Sequence, residues 1–287
     1  MVTLPITSSW SLRSLGESDR DRALAFLERE PLLNAYLISK ILDEGMTASQ
    51  FLEVKSGGSP VCLASVASNV VMGVAPESTA EEREVAIALL GERILGRAIP
   101  VRAIISDATL VEMLWRHLRI RLDPPTVVRM NQPIYSLKQA DEVLPDLQRV
   151  RYAGLDDLDV LVPACAAMHR EEVGIDPLER DAAGYRQRIR ELILKRRSLV
   201  LAERRKIVFK CEFSAVTSAT VQLMGLWTSP DFRRQGYARS GLREICGHIL
   251  RQRKVVTLFV NDFNTPAIRL YESLGFQPIG RNCALIW

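Results

Sequence analysis

The stretch Gly225-Leu226-Trp227-Thr228-Ser229-Pro230-Asp231-Phe232-Arg233-Arg234-Gln235-Gly236-Tyr237-Ala238 has residue types and spacing suited to holding a phosphate. The first N–H groups of a helix have no partner inside it, and the aligned peptide dipoles make that end positive. Phosphate binds there with little help from side chains. Gly236 lets the backbone come close because it has no Cβ. Ala238 is small, and Arg233 and Arg234 add positive charge. A basic loop of this kind, between a strand and a helix, fits a pyrophosphate.

The flanking elements must aim that loop. Before it, Thr220–Trp227 is apolar and reads as a strand. After it, Ala238, Leu242, Ile245, Cys246, Ile249 and Leu250 recur at helical spacing, with Arg239, Arg243 and Arg251 on other faces. A second block follows. Val255–Val260 reads as a buried strand, then comes Asn261-Asp262-Phe263-Asn264-Thr265-Pro266-Ala267-Ile268-Arg269-Leu270-Tyr271-Glu272-Ser273-Leu274-Gly275-Phe276.

In these two blocks the chain resembles the GNAT superfamily of N-acetyltransferases. That family writes its coenzyme A loop as Arg/Gln-x-x-Gly-x-Gly/Ala, which Arg233–Ala238 fits. It precedes the loop with x-Pro-x-aromatic-Arg, met by Ser229–Arg233, and follows it with an Asn and a Leu-Tyr-x-x-x-Gly-Phe ending, met by Asn264 and Leu270–Phe276. The loop pattern alone is common. The second block, in order and at the right distance, gives the match its specificity.

The element order over residues 147–287 reads β-α-α-β-β-β-α-β-α-β, which is the order the resemblance implies. The strands are at Leu147–Tyr152, Leu199–Ala202, Ile207–Phe213, Thr220–Trp227, Val255–Val260 and near Cys283–Trp287. Helices are expected from Asp156 or Asp157 to about Glu172, over Tyr185–Lys195, after the loop, and over Thr265–Leu274. Residues 1–130 repeat the rhythm. Strands fall at Trp10–Leu15, Phe51–Lys55, Pro60–Ser68, Val70–Val74 and Val101–Ile105. Helices follow Asp19 and span Asn34–Asp43, Glu81–Ile94 and Leu110–Leu118. Val74-Ala75-Pro76 stands where the family has Val-x-Pro, but the acidic Glu77-Ser78-Thr79-Ala80-Glu81-Glu82 replaces the coenzyme loop. The expected fold class is therefore α+β or α/β, with a mixed central sheet flanked by helices and two tandem GNAT-like domains. Residues 1–130 would be a degenerate copy, 131–146 a linker, and 147–287 the acetyltransferase domain. An unrelated N-terminal α/β domain is the plainer alternative.

The resemblance also implies the chemistry. Acetyl-CoA would be the donor, a primary amine on a small molecule or a peptide the acceptor, and transfer would be direct, in a ternary complex. Backbone amides near Leu226, Trp227 and Thr228 would hold the pantetheine and the acyl oxygen. Arg233, Arg234, Gln235, Gly236, Tyr237, Ala238 and Arg239 would hold the pyrophosphate, with Asn264 near the coenzyme. Tyr271 matches the family's frequent general acid. For the base, Glu212 ranks first and Glu172 second. Plain structural readings stand beside these: Tyr271 as a core aromatic, Asn264 as an N-cap with Pro266 in the first turn, and His169 as a surface side chain. Two other functions stay open, a non-catalytic acyl-CoA-binding regulator and a transferase of longer acyl groups.

Composition narrows the classes. The chain has 287 residues, 38 basic and 34 acidic side chains and a net charge of +4, with 47% hydrophobic residues. That length suits two domains of roughly 140 residues. The mild positive charge fits an anionic ligand without requiring nucleic acid. The arginines at 186, 188 and 190 point in several directions on a helix and have few aromatic neighbours for stacking. No apolar run reaches the ~20 residues that span a bilayer, and residues 1–6 lack the features of a signal peptide. Five scattered cysteines without a Cys-x-x-Cys pair argue for reduced thiols, a cytoplasmic setting and no zinc site. No metal is expected, and a homodimer is left open.

Overall fold

A computed structural model describes residues 9–96, 101–140 and 143–287. Residues 1–6, read above for a signal peptide, and part of the expected linker lie outside the described residues. The chain divides into two compact units. The first comprises Met1–Ile134, Val260–Phe263 and Ile279–Trp287, and the second Tyr135–Phe259 and Asn264–Pro278. The fold is α+β, built on mixed sheet flanked by helices.

In the first unit the elements are β1 (Trp10–Leu15), α1 (Arg20–Leu27), α2 (Ala35–Glu44), β2 (Phe51–Ser56), β3 (Ser59–Val66), β4 (Asn69–Val74), α3 (Ala80–Leu95), β5 (Ala103–Asp107) and α4 (Ala108–Leu118). The strand alternation decides which helix covers which face. Phe51 and Leu63 pack with Leu27, Ile38 and Ile41 of α1 and α2. Their neighbours Leu52, Cys62 and Ala64 face the other way, onto Ile87 and Leu90 of α3 and Leu114 of α4.

The strand that follows β5 in this sheet comes from the end of the chain. β12 (Gln277–Ile286) pairs antiparallel with β5, Asn282 opposite Asp107 through Ile286 opposite Ala103. Trp287 then stacks at a tilt on Trp115, with ring centroids 5.6 Å apart. Residues 279–287, expected as part of a 147–287 domain, thus belong to the first unit. The expected linker, 131–146, begins as strand, since β6 runs Val127–Leu137. Its pattern hides in sequence because Pro133 and the polar Asn131 and Gln132 interrupt the apolar alternation.

The second unit repeats the element order: β7 (Arg151–Tyr152), α5 (Leu158–Val173), α6 (Pro177–Leu194), β8 (Ser198–Glu203), β9 (Lys206–Val216), β10 (Thr220–Thr228), α7 (Tyr237–Arg251), β11 (Val255–Phe259) and α8 (Thr265–Glu272). From β11 its strands run β11-β10-β9-β8-β7. α6 is kinked: a first turn is capped by Asp176, which accepts from Leu178 N–H at 2.9 Å with Pro177 at the first position, and after the non-helical Asp181, whose Oδ1 accepts from Gly184 N–H at 2.9 Å, the helix continues through the expected Tyr185 stretch. α5 and α6 bury Leu161, Cys165, Ile189 and Ile193 against Val200 and Ile207. α7 lies close on β9, where a Cβ on Gly241 would meet the Phe209 ring at 2.7 Å. The buried Glu244 carboxylate on α7 accepts three successive backbone N–H bonds, from Gln148, Arg149 and Val150, at 2.9–3.0 Å. This ties α7 to the start of the unit.

Candidate functional site

The site grows from an interruption in β10. β10 pairs parallel with β11 only from Thr220–Val255 to Leu223–Leu258, yet β10 runs on to Thr228. On its other edge, Met224 is opposite Glu212 and Trp227 opposite Lys210, so one extra residue bulges out at Gly225–Leu226. Gly225 has φ 58°, a left-handed conformation that suits glycine. A bulge frees backbone groups from the ladder, and here it does so beside the unpaired edge of β10.

Downstream, a short 3-10 turn at Pro230–Phe232 leads into the loop. Arg234 has φ 59° and Gly236 φ 84°, with Gly236 at the N-cap of α7. Left-handed residues in such a turn gather N–H groups into an anion-binding concavity. Gly236 brings no capping side chain to the α7 N-terminus, and a Cβ built on it would meet nothing within 4 Å. Those features fit the pyrophosphate of a coenzyme.

The expected coenzyme residues divide in this geometry. Leu226 sits in the bulge. Trp227 is half-buried against the α5–α6 core and donates its indole N–H to Glu171 Oε1 at 3.2 Å. Arg233 donates to Glu171 Oε2 at 2.6 Å and to the Thr228 carbonyl at 3.0 Å. Glu171 thus links α5 to both the strand and the loop. Gln235 donates to the Asp231 carbonyl, closing the turn. The Tyr237 ring packs edge-on against Phe232 with Arg149 over its face, so its side chain holds the helix start in place and only its backbone is left for a ligand. Ala238 follows in the first turn of α7. Arg239 reaches Ser273 Oγ at 2.8 Å. Asn264 caps α8, its Oδ1 accepting from Ala267 N–H at 3.3 Å.

The residues named for proton transfer also separate. Tyr271 is 6% exposed, beside Phe276. Burial, with Cys211 and Glu172 nearby, pushes its hydroxyl well above the usual phenol range. That direction keeps the proton on the Tyr271 hydroxyl. Glu172 is exposed near the end of α5. Glu212, by contrast, is 3% exposed and its Oε1 accepts from Lys210 Nζ at 2.7 Å. Burial alone would raise the Glu212 carboxyl, but the adjacent Lys210 ammonium outweighs it and holds the group below its ordinary value. A buried carboxylate locked to an ammonium has neither access nor basicity for an incoming amine. Its expected place as first-ranked base is at odds with this geometry, because the neighbouring strand residue Lys210 claims its charge. His169 Nδ1 bonds the Ile175 carbonyl at 2.9 Å, a structural contact.

Lys210 was not singled out in sequence, although Lys in the apolar run Ile207–Phe213, two residues from Glu212, marks a same-face charged pair. All five cysteines are buried thiols without disulfides. Burial pushes Cys165 up to about 12, which removes it as a nucleophile. Among the described residues no group of His, Cys, Asp or Glu converges as metal ligands do, and no helix is long and apolar enough to cross a membrane.

The first unit shows the same place sealed. β4 and β5 pair at Asn69–Ala103 and Val70–Ile104 only. Beyond them the Ser106 hydroxyl accepts from Met72 N–H at 3.2 Å and donates to the Met72 carbonyl at 2.8 Å. A side chain thus satisfies the backbone groups at this opening. Thr79 and Glu82 close the α3 N-terminus with a capping box.

Comparison with known proteins agrees with this architecture. Residues 214–285 match the family described as FR47-like protein, and residues 51–161 match a domain of unknown function, DUF4081. No curated protein sequence matches. Among solved structures, the chain is similar to a GNAT-family acetyltransferase from Colwellia psychrerythraea (14% identity, 96% of this chain and 99% of that one, TM-score 0.57). It is similar to a GCN5-related N-acetyltransferase from Sphaerobacter thermophilus (17%, 98% and 96%, TM-score 0.57). It is also similar to a tandem GNAT protein from the clavulanic acid biosynthesis pathway (14%, 97% and 98%, TM-score 0.57). The FR47-like segment covers the bulged strand, the Arg233–Ala238 loop and α8, and at 14–17% identity the likeness to these structures is one of fold: the chain has a GNAT-like fold, repeated in tandem.

Proposed function

We propose that the second unit is an acetyl-CoA-dependent N-acetyltransferase that moves the acetyl group to a primary amine by direct attack in a ternary complex. The observation that carries this is the α7 N-terminus, which has no side-chain cap at Gly236 and is entered through Arg234 and Gly236 in left-handed conformations, directly downstream of a bulged strand whose pairing with β11 has stopped. Bound acetyl-CoA supplies an activated acyl carbonyl. Amides from Arg234 to Arg239 hold the pyrophosphate, as helix N-termini do. Amides at Leu226–Thr228 lie along the pantetheine, and Asn264 lies near the coenzyme while capping α8.

Tyr271, kept protonated by burial, holds the proton that a departing thiolate needs. Glu172 is the base on this reading, since it lies near enough to Tyr271 to influence it and is exposed where an amine can approach. The proton lost by the amine goes to Glu172, and the one Tyr271 gives ends on the thiol. The N-terminal unit is proposed to be a degenerate copy, supported by Ser106 at the opening of β4 and β5 and by the capped α3.

The test incubates the full chain with acetyl-CoA and a panel of small amines, peptides and protein N-termini, and follows thiol release. Turnover that falls 10²-fold or more in Tyr271→Phe, the scale of general acid catalysis, supports the reading. Coenzyme binding without turnover on any acceptor class favours an acyl-CoA-binding regulator. Turnover only with longer acyl-CoAs reassigns the donor.

A further inference from the structure

Lys210 is fully buried on β9, and the proposed chemistry gives it no task. Its ammonium makes three contacts: Glu212 Oε1 at 2.7 Å, the Gly225 carbonyl at 3.0 Å and Met168 Sδ at 3.5 Å. Two of these hold it in place. The third reaches into the β10 bulge, where the backbone has left the ladder. Burying an ammonium and a carboxylate is costly, and apolar residues of similar size would often serve stability as well. The pair therefore calls for a reason beyond packing.

The peptide geometry supplies one. In a trans peptide the C=O and the following N–H point in opposite directions. With the Gly225 carbonyl drawn to Lys210, the Leu226 N–H is turned away from it. Lys210 and Glu212 face α5, where Cys165 Sγ lies 3.5 Å from Glu212. Cys211, between them, faces the opposite side of the strand. Phe209, two residues earlier on the same face, lies against Gly241 of α7. The bulge thus directs the Leu226 amide away from α5, toward the side of β9 on which α7 packs. A buried cation on the carbonyl also polarises the whole peptide unit and strengthens its N–H as a donor, as linked hydrogen bonds do in a low dielectric.

We infer that the buried Lys210–Glu212 pair is a positioning device for acyl transfer: Lys210, held by Glu212, fixes and polarises the Gly225–Leu226 peptide so that the Leu226 N–H binds and activates the acyl oxygen. This inference rests on the acyl-CoA reading of the site. Lys210 touches neither coenzyme nor acceptor and acts through one peptide. Such a donor, placed where negative charge develops, is a large contributor to acyl-transfer catalysis in general.

The experiment reads the thioester carbonyl directly and needs no acceptor. Isotope-edited infrared difference spectra are recorded for carbonyl-¹³C acetyl-CoA bound to the wild-type full chain and to Lys210→Met/Glu212→Gln, a neutral pair. Calorimetry gives coenzyme A affinity for both, and circular dichroism reports folding. The expected result is a carbonyl band shifted to lower frequency in the wild type, with at least half of that shift lost in the double variant. Coenzyme A affinity should stay within about twofold, because the α7 loop is untouched. A merely structural pair would alter affinity or folding and leave the band of bound acetyl-CoA where it was. A full wild-type shift in the folded double variant overturns the inference while leaving the acyl-CoA reading intact. A wild-type protein that binds no acetyl-CoA refutes that reading, and the inference with it. Should the double variant fail to fold, Lys210→Gln, which keeps a neutral donor at the same carbonyl, is expected to place the band between the free and wild-type positions. An unmoved band there counts against Lys210.

Discussion

Substituting Lys210 by Met separates the energetics of its ion pair from the role of its peptide. The side chain is 0% exposed and its partner carboxylate 4%, so neither charge has water to fall back on. Met fills nearly the same volume, which keeps cavity formation out of the balance. What remains for Glu212 is the weak thiol donor of Cys165 at 3.5 Å and the more distant charge of Arg188. Leaving one member of a buried pair uncompensated costs about 3–5 kcal/mol. Adding Glu212→Leu removes the orphaned charge, and the double variant should recover most of that loss. The appropriate assay is native-state hydrogen exchange of β9 and β10 amides, because a two-unit chain need not unfold in one step. The pH dependence has a definite sign. In the wild type the folded Glu212 pKa is lowered, so its stabilisation is present above the unfolded value, about 4.3, and is lost as pH falls through the folded pKa. In Lys210→Met burial acts unopposed by that ammonium and raises the folded pKa, as for other buried carboxyls. The variant then loses stability as pH rises past the unfolded value, so its deficit narrows as pH drops from about 8 toward 5. A deficit below about 1 kcal/mol, or one independent of pH, would refute the view that a desolvated ion pair supports the bulge.

Two further substitutions test the neighbouring devices. Gly236→Ala meets no atom within 4 Å but must hold φ near +84°, so it should cost about 1–2 kcal/mol in stability and weaken coenzyme A binding about tenfold or more; calorimetry showing unchanged affinity would remove the loop from the site. Ser106→Ala strips the buried Met72 N–H and carbonyl of their shared partner and should destabilise the first unit by about 1–3 kcal/mol, seen as faster exchange of β4 amides with the second unit unaffected.

Much of the second unit was legible in the chain because its signals are local. Helical periodicity after Gly236, the apolar runs at Thr220 and Val255, and Pro266 behind Asn264 each depend on residues a few positions apart. They placed α7, β10, β11 and α8 within one or two residues. The repeat in element order was legible for the same reason. Pairing between distant strands was not. β12 ends in the same apolar run whichever sheet it joins, so nothing in Cys283–Ile286 announces that it lies against β5. β6 from Asn131 onward was read as linker because proline and polar residues obscure its period.

By itself the sequence determined the Arg233–Ala238 loop, its strand and helix, and the presence of a tyrosine in the second block, since turn chemistry and periodicity are properties of neighbours along the chain. The tertiary structure decided what the charges do. Glu212 could be a base or a structural carboxylate until Lys210 was found 2.7 Å away in the same buried space. Asn264 resolved into a cap, and Glu171 into a link between α5 and the loop. A carboxylate's role depends on its solvent access and its partner's charge, and both are set by residues that only folding brings together.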